Sequence, residues 1–243
     1  MRRVFRMQCE GLRSNRKDLR REERKMNIAI DGPAGAGKST IAKLAAKKLG
    51  FVYVDTGAMY RSIALYVIEN DVDPDDEAAM STALDKIDVS IAYEDGAQHI
   101  FLNGRDVSTE IRQETVGNMA SKVATKPAVR AKLLDLQRGL AKKQDVIMDG
   151  RDIGSFVLPD AELKIYLTAS ADERAKRRYN ELVSKGQTPE LEQIKQDIIA
   201  RDYQDMNREI APLVQADDAV LIDSSDMTID EVADRIITLC RQC

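Results

Sequence analysis

Histidine and cysteine are scarce in this chain. Among 243 residues there is one histidine, His99, and there are three cysteines, Cys9, Cys240 and Cys243. His99 falls in a stretch that reads as a hairpin, which leaves no Ser/His/Asp arrangement for nucleophilic catalysis. Cys240 and Cys243 form a C-x-x-C at the end of a helical pattern. A zinc site needs four ligands, and a thioredoxin-like pair opens a helix rather than closing one. The cysteines therefore read as structural or incidental, and their scarcity suits a reducing cytoplasm. Long apolar runs are missing too: none approaches the ~20 residues of a membrane span. The start of the chain offers no secretory h-region, so a cytoplasmic location with no membrane partner is expected.

What is present is charge and a moderate apolar content. Hydrophobic residues make up 43% and charged residues 32% of the chain. That balance suits a folded protein of one unit with insertions. The net charge of −4 is unevenly spread. Residues 1–25 carry ten basic and four acidic side chains, and the remainder carries 27 and 37. The folded part is acidic, so specific nucleic-acid binding is not expected of it. A monomer is expected. The basic stretch 1–25 has little apolar content and no clear period. It reads as an extension that is either disordered or not native, with translation beginning at Met26. A basic arm for RNA or anionic surfaces is the functional alternative. Glu10, Asp18, Glu22 and Glu23 argue against a transit peptide.

Residues 32–39 read Gly-Pro-Ala-Gly-Ala-Gly-Lys-Ser, after the run Asn-Ile-Ala-Ile-Asp and before a helical pattern with Ile41, Leu44, Ala45 and Leu49 on one face. Strand, glycine loop and helix together form the context that a G-x-x-x-x-G-K-[ST] phosphate cradle requires. Glycines turn successive N–H groups inward, and the helix N-terminus adds a positive dipole end. In that reading Gly32, Pro33, Ala34, Gly35, Ala36, Gly37, Lys38, Ser39 and Thr40 hold a nucleoside triphosphate. Lys38 bridges its terminal phosphates and Ser39 holds Mg²⁺. The loop gives a class and not a function, because switches, motors and kinases share it.

Five short apolar runs alternate with helical patterns: 28–30, 51–54, 146–148, 164–167 and 219–222. This rhythm predicts an α/β fold with a five-stranded parallel sheet flanked by helices. Most runs end in a polar residue, namely Asp31, Asp55, Asp149, Thr168 and Asp223. Ligands of such sheets bind beyond the carboxyl ends of the strands. Residues 89–107 break the rhythm with alternating runs around Gly96 and Asn103-Gly104, which predict a small antiparallel meander. Two helices follow, over 113–125 and 127–142. Ser170–Glu173 and Thr228–Glu231 carry the spacing of capping boxes. A Gly186–Pro189 break separates charged helices over 172–183 and 190–207, which suits a mobile lid.

Four constellations carry the chemistry. The second strand ends in Asp55-Thr-Gly-Ala-Met-Tyr-Arg61, where Thr56, Tyr60 and Arg61 at a helix start suit a second phosphate group. A capped helix with a solvated arginine reads equally well there. The third strand runs into Asp149-Gly-Arg-Asp152. Arg151 suits a bidentate phosphate clamp with Asp152 orienting it, Asp149 suits Mg²⁺ held through water, and an internal ion pair is the alternative. Further on, Arg174 and Arg178 share a helix face and suit a lid that lowers charge onto a transferring phosphoryl group. Glu173 and Arg177 can pair, so a solvated surface competes with that reading. Arg201, Asp205 and Arg208 then form a mixed stripe that suits a polar, charged substrate.

The segments AIDGPAGAGKST, DTGAMYR, GRDIGSFVLPDA and RDYQDMNREIAPL together resemble the bacterial cytidylate kinases, a branch of the nucleoside monophosphate kinases. The resemblance runs from Met26 to about Arg241. It implies a P-loop kinase core over 26–56 and 143–243, and a monophosphate-binding region over about 57–142 with a β insert over about 84–110. It also implies a lid over about 174–190, all within one domain, 26–243. ATP would lie on Gly32–Thr40, with CMP or dCMP opposite, and Mg²⁺ near Ser39 and Asp149. Lys38, Arg151, Arg174 and Arg178 would be catalytic. Thr56, Tyr60, Arg61, Arg130 and Arg151 would hold the acceptor's phosphate and sugar. Ser121, Arg130 and Asp152 would read cytosine, and Asp205 with Arg208 the sugar. Thr56 departs from the serine of many relatives but keeps the hydroxyl. The extension before Met26 has no counterpart in that pattern.

The implied activity is transfer of the γ-phosphoryl group of ATP to CMP or dCMP. UMP or AMP as acceptor is the runner-up. A GTPase-type switch would need an Asn-Lys-x-Asp and a D-x-x-G segment, and neither occurs. Intact Lys38, Asp149, Arg151 and Arg178 argue against an inactive binding relative.

Overall fold

The computed structural model describes residues 25–94 and 97–243. The expectations for residues 1–24 and for the turn at Asp95–Gly96 lie outside the described residues.

Apolar alternation builds the centre. The strands β1 (Asn27–Asp31), β2 (Val52–Asp55), β6 (Val146–Gly150), β7 (Leu163–Thr168) and β8 (Val220–Asp223) form one parallel sheet in the order β2-β6-β1-β7-β8. Successive side chains point to opposite faces. Ile28, Ile30 and Ile147 therefore enter one core, with Ile41 and Ala45 of α1 (Lys38–Leu49) and Ile236 of α8 (Ile229–Cys240). Ala29, Val146 and Met148 enter the other, with Met59 and Ile63 of α2 (Thr56–Glu69) and Leu133 of α5 (Pro127–Lys143). Both faces are covered, which is why these strands read as continuous apolar runs. Each fully buried Ile contributes roughly 1.5–3 kcal/mol to that arrangement. Cys240 packs at the rim of the first of these cores.

A second sheet, β3 (Val89–Glu94), β4 (Ala97–Leu102) and β5 (Arg105–Asp106), is antiparallel and corresponds to the predicted meander. Its side chains finish the exposed edge of β2. The Gln98 amide oxygen accepts from Asp55 N at 2.8 Å, and the Tyr93 hydroxyl donates to the Tyr53 carbonyl at 3.1 Å. The 3₁₀ turn Glu110–Arg112 leads from this sheet into α4 (Glu114–Val123). The hairpin of α6 (Ala171–Ser184) and α7 (Leu191–Asn207) turns through Gly186 at φ 78°.

Three local findings differ from expectation. An additional helix, α3 (Glu77–Lys86), precedes the meander, and the Asp76 carboxylate caps it by accepting from Ala78 N and Ala79 N. Residues 153–157 form a single π turn after β6. Thr228–Glu231 is a full capping box, but Ser170–Glu173 is only half of one. There the Glu173 carboxylate pairs with Arg177, and Ser170 N donates instead to the Ser225 hydroxyl. Among the described residues, no helix is long and apolar enough to cross a membrane.

Candidate active site

The register of the sheet levels three carboxylates at one edge. Asp55 lies opposite Asp149, and Asp149 opposite Ile30, one residue before Asp31. The glycine loop leaves from this edge. Gly32 adopts φ 147°, and a Cβ there would sit 1.9 Å from the Leu167 carbonyl oxygen. Only glycine lets the loop pass so close to β7. Gly35 and Gly37 are also left-handed, and no side chain caps the start of α1. The helix therefore presents its first N–H groups and its positive dipole end to an anion. Lys38 is buried and its ammonium folds back to donate to the Pro33 carbonyl at 2.8 Å. Burial and then Arg151 push its pKa well below the ordinary lysine value.

Beside the loop, the Ser39 hydroxyl donates to Asp149 Oδ2 at 2.7 Å, and the Tyr53 hydroxyl donates to Asp149 Oδ1 at 3.0 Å. Burial, and next Asp55, raise the Asp149 pKa to about 6. A carboxylate held against that penalty is short of positive charge. With the Ser39 oxygen adjacent, the pair offers the hard oxygen donors that suit Mg²⁺.

The opposite side is built from arginines. Thr56 opens α2 and its hydroxyl donates to the Asp149 carbonyl at 2.7 Å, which ties β2 to β6. Asp55 caps α2 by accepting from Ala58 N at 2.9 Å, and both terminal nitrogens of Arg112 reach its other oxygen at 3.1 Å. Arg151 Nε donates to Asp205 Oδ2 at 2.9 Å, and Arg208 lies 3.9 Å from Asp205 Oδ1. Arg208 Nε also donates to the Ala211 carbonyl.

Two arginines of this cluster have no carboxylate partner among the described residues. Arg61 makes no hydrogen bond or ion pair there. Arg201 reaches only the Ser121 hydroxyl, at 3.4 Å, and its Nε is buried and unpaired. Burial lowers the pKa of both, and Arg151 contributes to each shift. Both side chains are half-buried, so leaving their charge uncompensated has a cost. Together with Arg151 and Arg112 they could receive an anion.

Deeper in the cleft, Arg130 of α5 is paired with Asp152, and both are buried. Arg130 uses only Asp152 Oδ2. No hydrogen bond reaches Oδ1 among the described residues. The Tyr60 ring lies 5.9 Å from the Arg130 guanidinium carbon. Ser121 of α4 stands at the Arg201 side of this pocket.

The two lid arginines part company. Arg174 is buried and donates to the Asp202 carboxylate at 2.6 and 3.0 Å, to the Ala34 carbonyl of the glycine loop at 3.0 Å and to the Ala169 carbonyl at 2.9 Å. It joins α6, α7 and the loop into one unit. Arg178 is 40% exposed and pairs with Glu181 on its own helix at 2.9 Å. The structure thus brings Lys38, Ser39, Asp149, Arg151 and Arg174 together and leaves Arg178 outside that group. Arg177 turns toward the core and donates to the Ser224 carbonyl at 2.7 Å.

Some contributions go beyond the sequence reading. The sequence places Arg201 in the substrate stripe four residues before Asp205, but its unpaired nitrogen is a tertiary fact. Arg112 sits in a 3₁₀ turn with no motif around it. Asp31 was read only as an edge acid. Its carboxylate accepts from Ile153 N at 2.8 Å and Gly154 N at 2.7 Å, which fixes the π turn that follows Asp152. Burial raises the Asp31 pKa to about 6 against the pull of these two bonds.

A parallel sheet with a glycine loop after its central strand, faced by an arginine-lined pocket, is the architecture of a P-loop kinase. The cytidylate kinase family model matches residues 28–242. The cytidylate kinase of Caldicellulosiruptor saccharolyticus is 52% identical over 216 residues, which cover 89% of this chain and 96% of that one. The cytidylate kinase of Lactobacillus johnsonii is 48% identical over 217 residues, covering 89% and 94%. A solved structure of an uncharacterized protein from Eubacterium ventriosum shares the fold, with a TM-score of 0.50 and 13% identity over 90% of this chain and 100% of that one. The chain belongs to the cytidylate kinase family.

Proposed function

We propose that this protein transfers the γ-phosphoryl group of ATP to CMP and dCMP, giving ADP with CDP or dCDP, in pyrimidine nucleotide metabolism. Family membership supports the reaction. The observation that carries the site assignment is the pair of guanidiniums, Arg61 and Arg201, left without carboxylates beside Arg151. An acceptor phosphate would supply the missing charge.

Gly32–Thr40 binds the triphosphate of ATP through backbone N–H groups, and Lys38 leaves the Pro33 carbonyl to meet the terminal phosphates. Ser39 and Asp149 would hold Mg²⁺, which would supply positive charge against the donor phosphates. Arg151 and Arg174 stabilise charge on the moving group. Arg178 joins them when the α6–α7 lid, about 174–190, closes and excludes water. Tyr60, Arg61, Arg130 and Arg201 hold the acceptor, with Thr56 ordering the turn. Asp205 and Arg208 hold its sugar. Asp152 Oδ1 accepts from the exocyclic amine of cytosine, a donor where uracil offers only an acceptor. The proposed donor and acceptor residues lie on one chain, so the site needs no residue of a second copy, and the family reading supports a cytoplasmic enzyme.

A panel of CMP, dCMP, UMP and AMP in a coupled ADP assay tests this. CMP and dCMP should be preferred, and a preference for AMP over CMP overturns the acceptor assignment.

A further inference from the structure

Arg130 is held by few hydrogen bonds for a buried guanidinium. One terminal nitrogen meets Asp152 Oδ2, and the other makes a long 3.4 Å contact to the Ala124 carbonyl. Its flat faces are better held. The Tyr60 ring lies 5.9 Å away, and the Phe156 ring lies 5.5 Å away. A guanidinium over an aromatic face is attracted by the ring quadrupole. Phe156 is 46% exposed and belongs to neither core, so the Arg130 face is its main described contact.

The ring and the carboxylate belong to the same π turn. Phe156 N donates to the Asp152 carbonyl at 2.9 Å. Arg138, two helical turns after Arg130 on α5, donates to the carbonyls of Phe156 at 3.0 Å and Val157 at 2.9 Å. Asp31 fixes Ile153 and Gly154 from the glycine-loop side. The spacing between the Phe156 ring and the Asp152 carboxylate is thereby set by backbone.

We infer that Phe156 is a positioning residue for base selection, holding Arg130 by cation–π contact so that it engages one oxygen of Asp152 and leaves the other for the acceptor base. The inference rests on the acceptor assignment above. An unrestrained guanidinium would rotate into the stronger two-point pairing with Asp152 and compete with the incoming amine.

Three variants test it in steady-state assays with CMP, UMP and ATP. Phe156→Ala should raise KM for CMP by roughly 3- to 10-fold. Its kcat should fall by less than that, its KM for ATP should hold, and its preference for CMP over UMP should narrow. Phe156→Tyr, which keeps the aromatic face, should keep the KM of the wild type. Phe156→Leu, which keeps bulk without a quadrupole, should behave as Phe156→Ala does. Leucine rescuing as well as tyrosine overturns the inference, as does an unchanged KM in the alanine variant. Should the alanine variant fail to fold, the leucine–tyrosine pair decides alone. A wild-type enzyme that ignores CMP overturns the acceptor assignment, and this inference with it.

Discussion

The proposed donor loop occupies consecutive residues 32–40 and offers main-chain groups, whereas the proposed acceptor pocket gathers side chains from α2, α4, α5, α7 and the segment after β6. The loop needs glycine where φ is positive or a neighbouring strand passes close, and little else about its side chains matters beyond Lys38 and Ser39. The pocket needs a balance of charge. Arg112, Arg130, Arg151, Arg174 and Arg208 each have a carboxylate, and Arg61 and Arg201 do not. Both halves are open to an anion: the loop through N–H groups that no side chain caps, and the proposed acceptor side through guanidiniums that lack carboxylates.

The comparison breaks first at Lys38. Lys38→Ala should lower kcat by on the order of 10³-fold or more, with circular dichroism and melting temperature close to wild type. Retained activity would mean that the loop binds nucleotide without sharing in transfer. On the acceptor side, Arg201→Ala should raise KM for CMP by about 10- to 100-fold and leave KM for ATP within about twofold, because charge-assisted contacts to phosphate contribute about 1.5–3 kcal/mol. An equal effect on both substrates would erase the division between the halves.

Asp31 joins the two halves, and its titration sharpens their connection. Burial raises its folded pKa to about 6, above the ordinary aspartate range. Its contribution to stability is therefore fully present below pH ~4 and is lost as pH rises through about 6. Urea unfolding of wild type and Asp31→Asn at pH 4 and pH 7 should show the advantage of the wild type shrinking by on the order of 1–3 kcal/mol at the higher pH. A gap that widens with pH would reverse the assigned sign. The smallest effect is expected at Ala211, which adopts a left-handed φ of 49° beside Arg208. Ala211→Gly should gain about 0.5 kcal/mol by relieving that conformation. A loss larger than about 1 kcal/mol would mean that the alanine methyl carries packing that outweighs the strain.

Legibility followed the same division. The five core strands, the glycine loop, the meander and the paired charged helices were each readable, because apolar period and glycine spacing are local signals. Helix α3 was missed although Asp76 and Glu77 announce its start; its first residues carry only two apolar alanines before Met80. The half box at Ser170 was over-read because Glu173 had a competing partner, Arg177, one turn away. Among the site residues, Arg174 was expected over the cleft from its spacing to Arg178. Its pairing with Asp202 and the Ala34 carbonyl depends on how α7 packs against α6.

By itself the sequence determined the sheet, the cradle and the family pattern, since these depend on periodicity and on residues a few positions apart. Tertiary structure alone decided which guanidiniums have a carboxylate partner and which, among the described residues, do not. It also decided that Asp152 keeps one oxygen open and that Phe156 meets Arg130. The reason is that charge compensation in a buried pocket is set by distances between segments far apart in the chain. Hydrophobic and turn signals along the chain leave those distances unspecified.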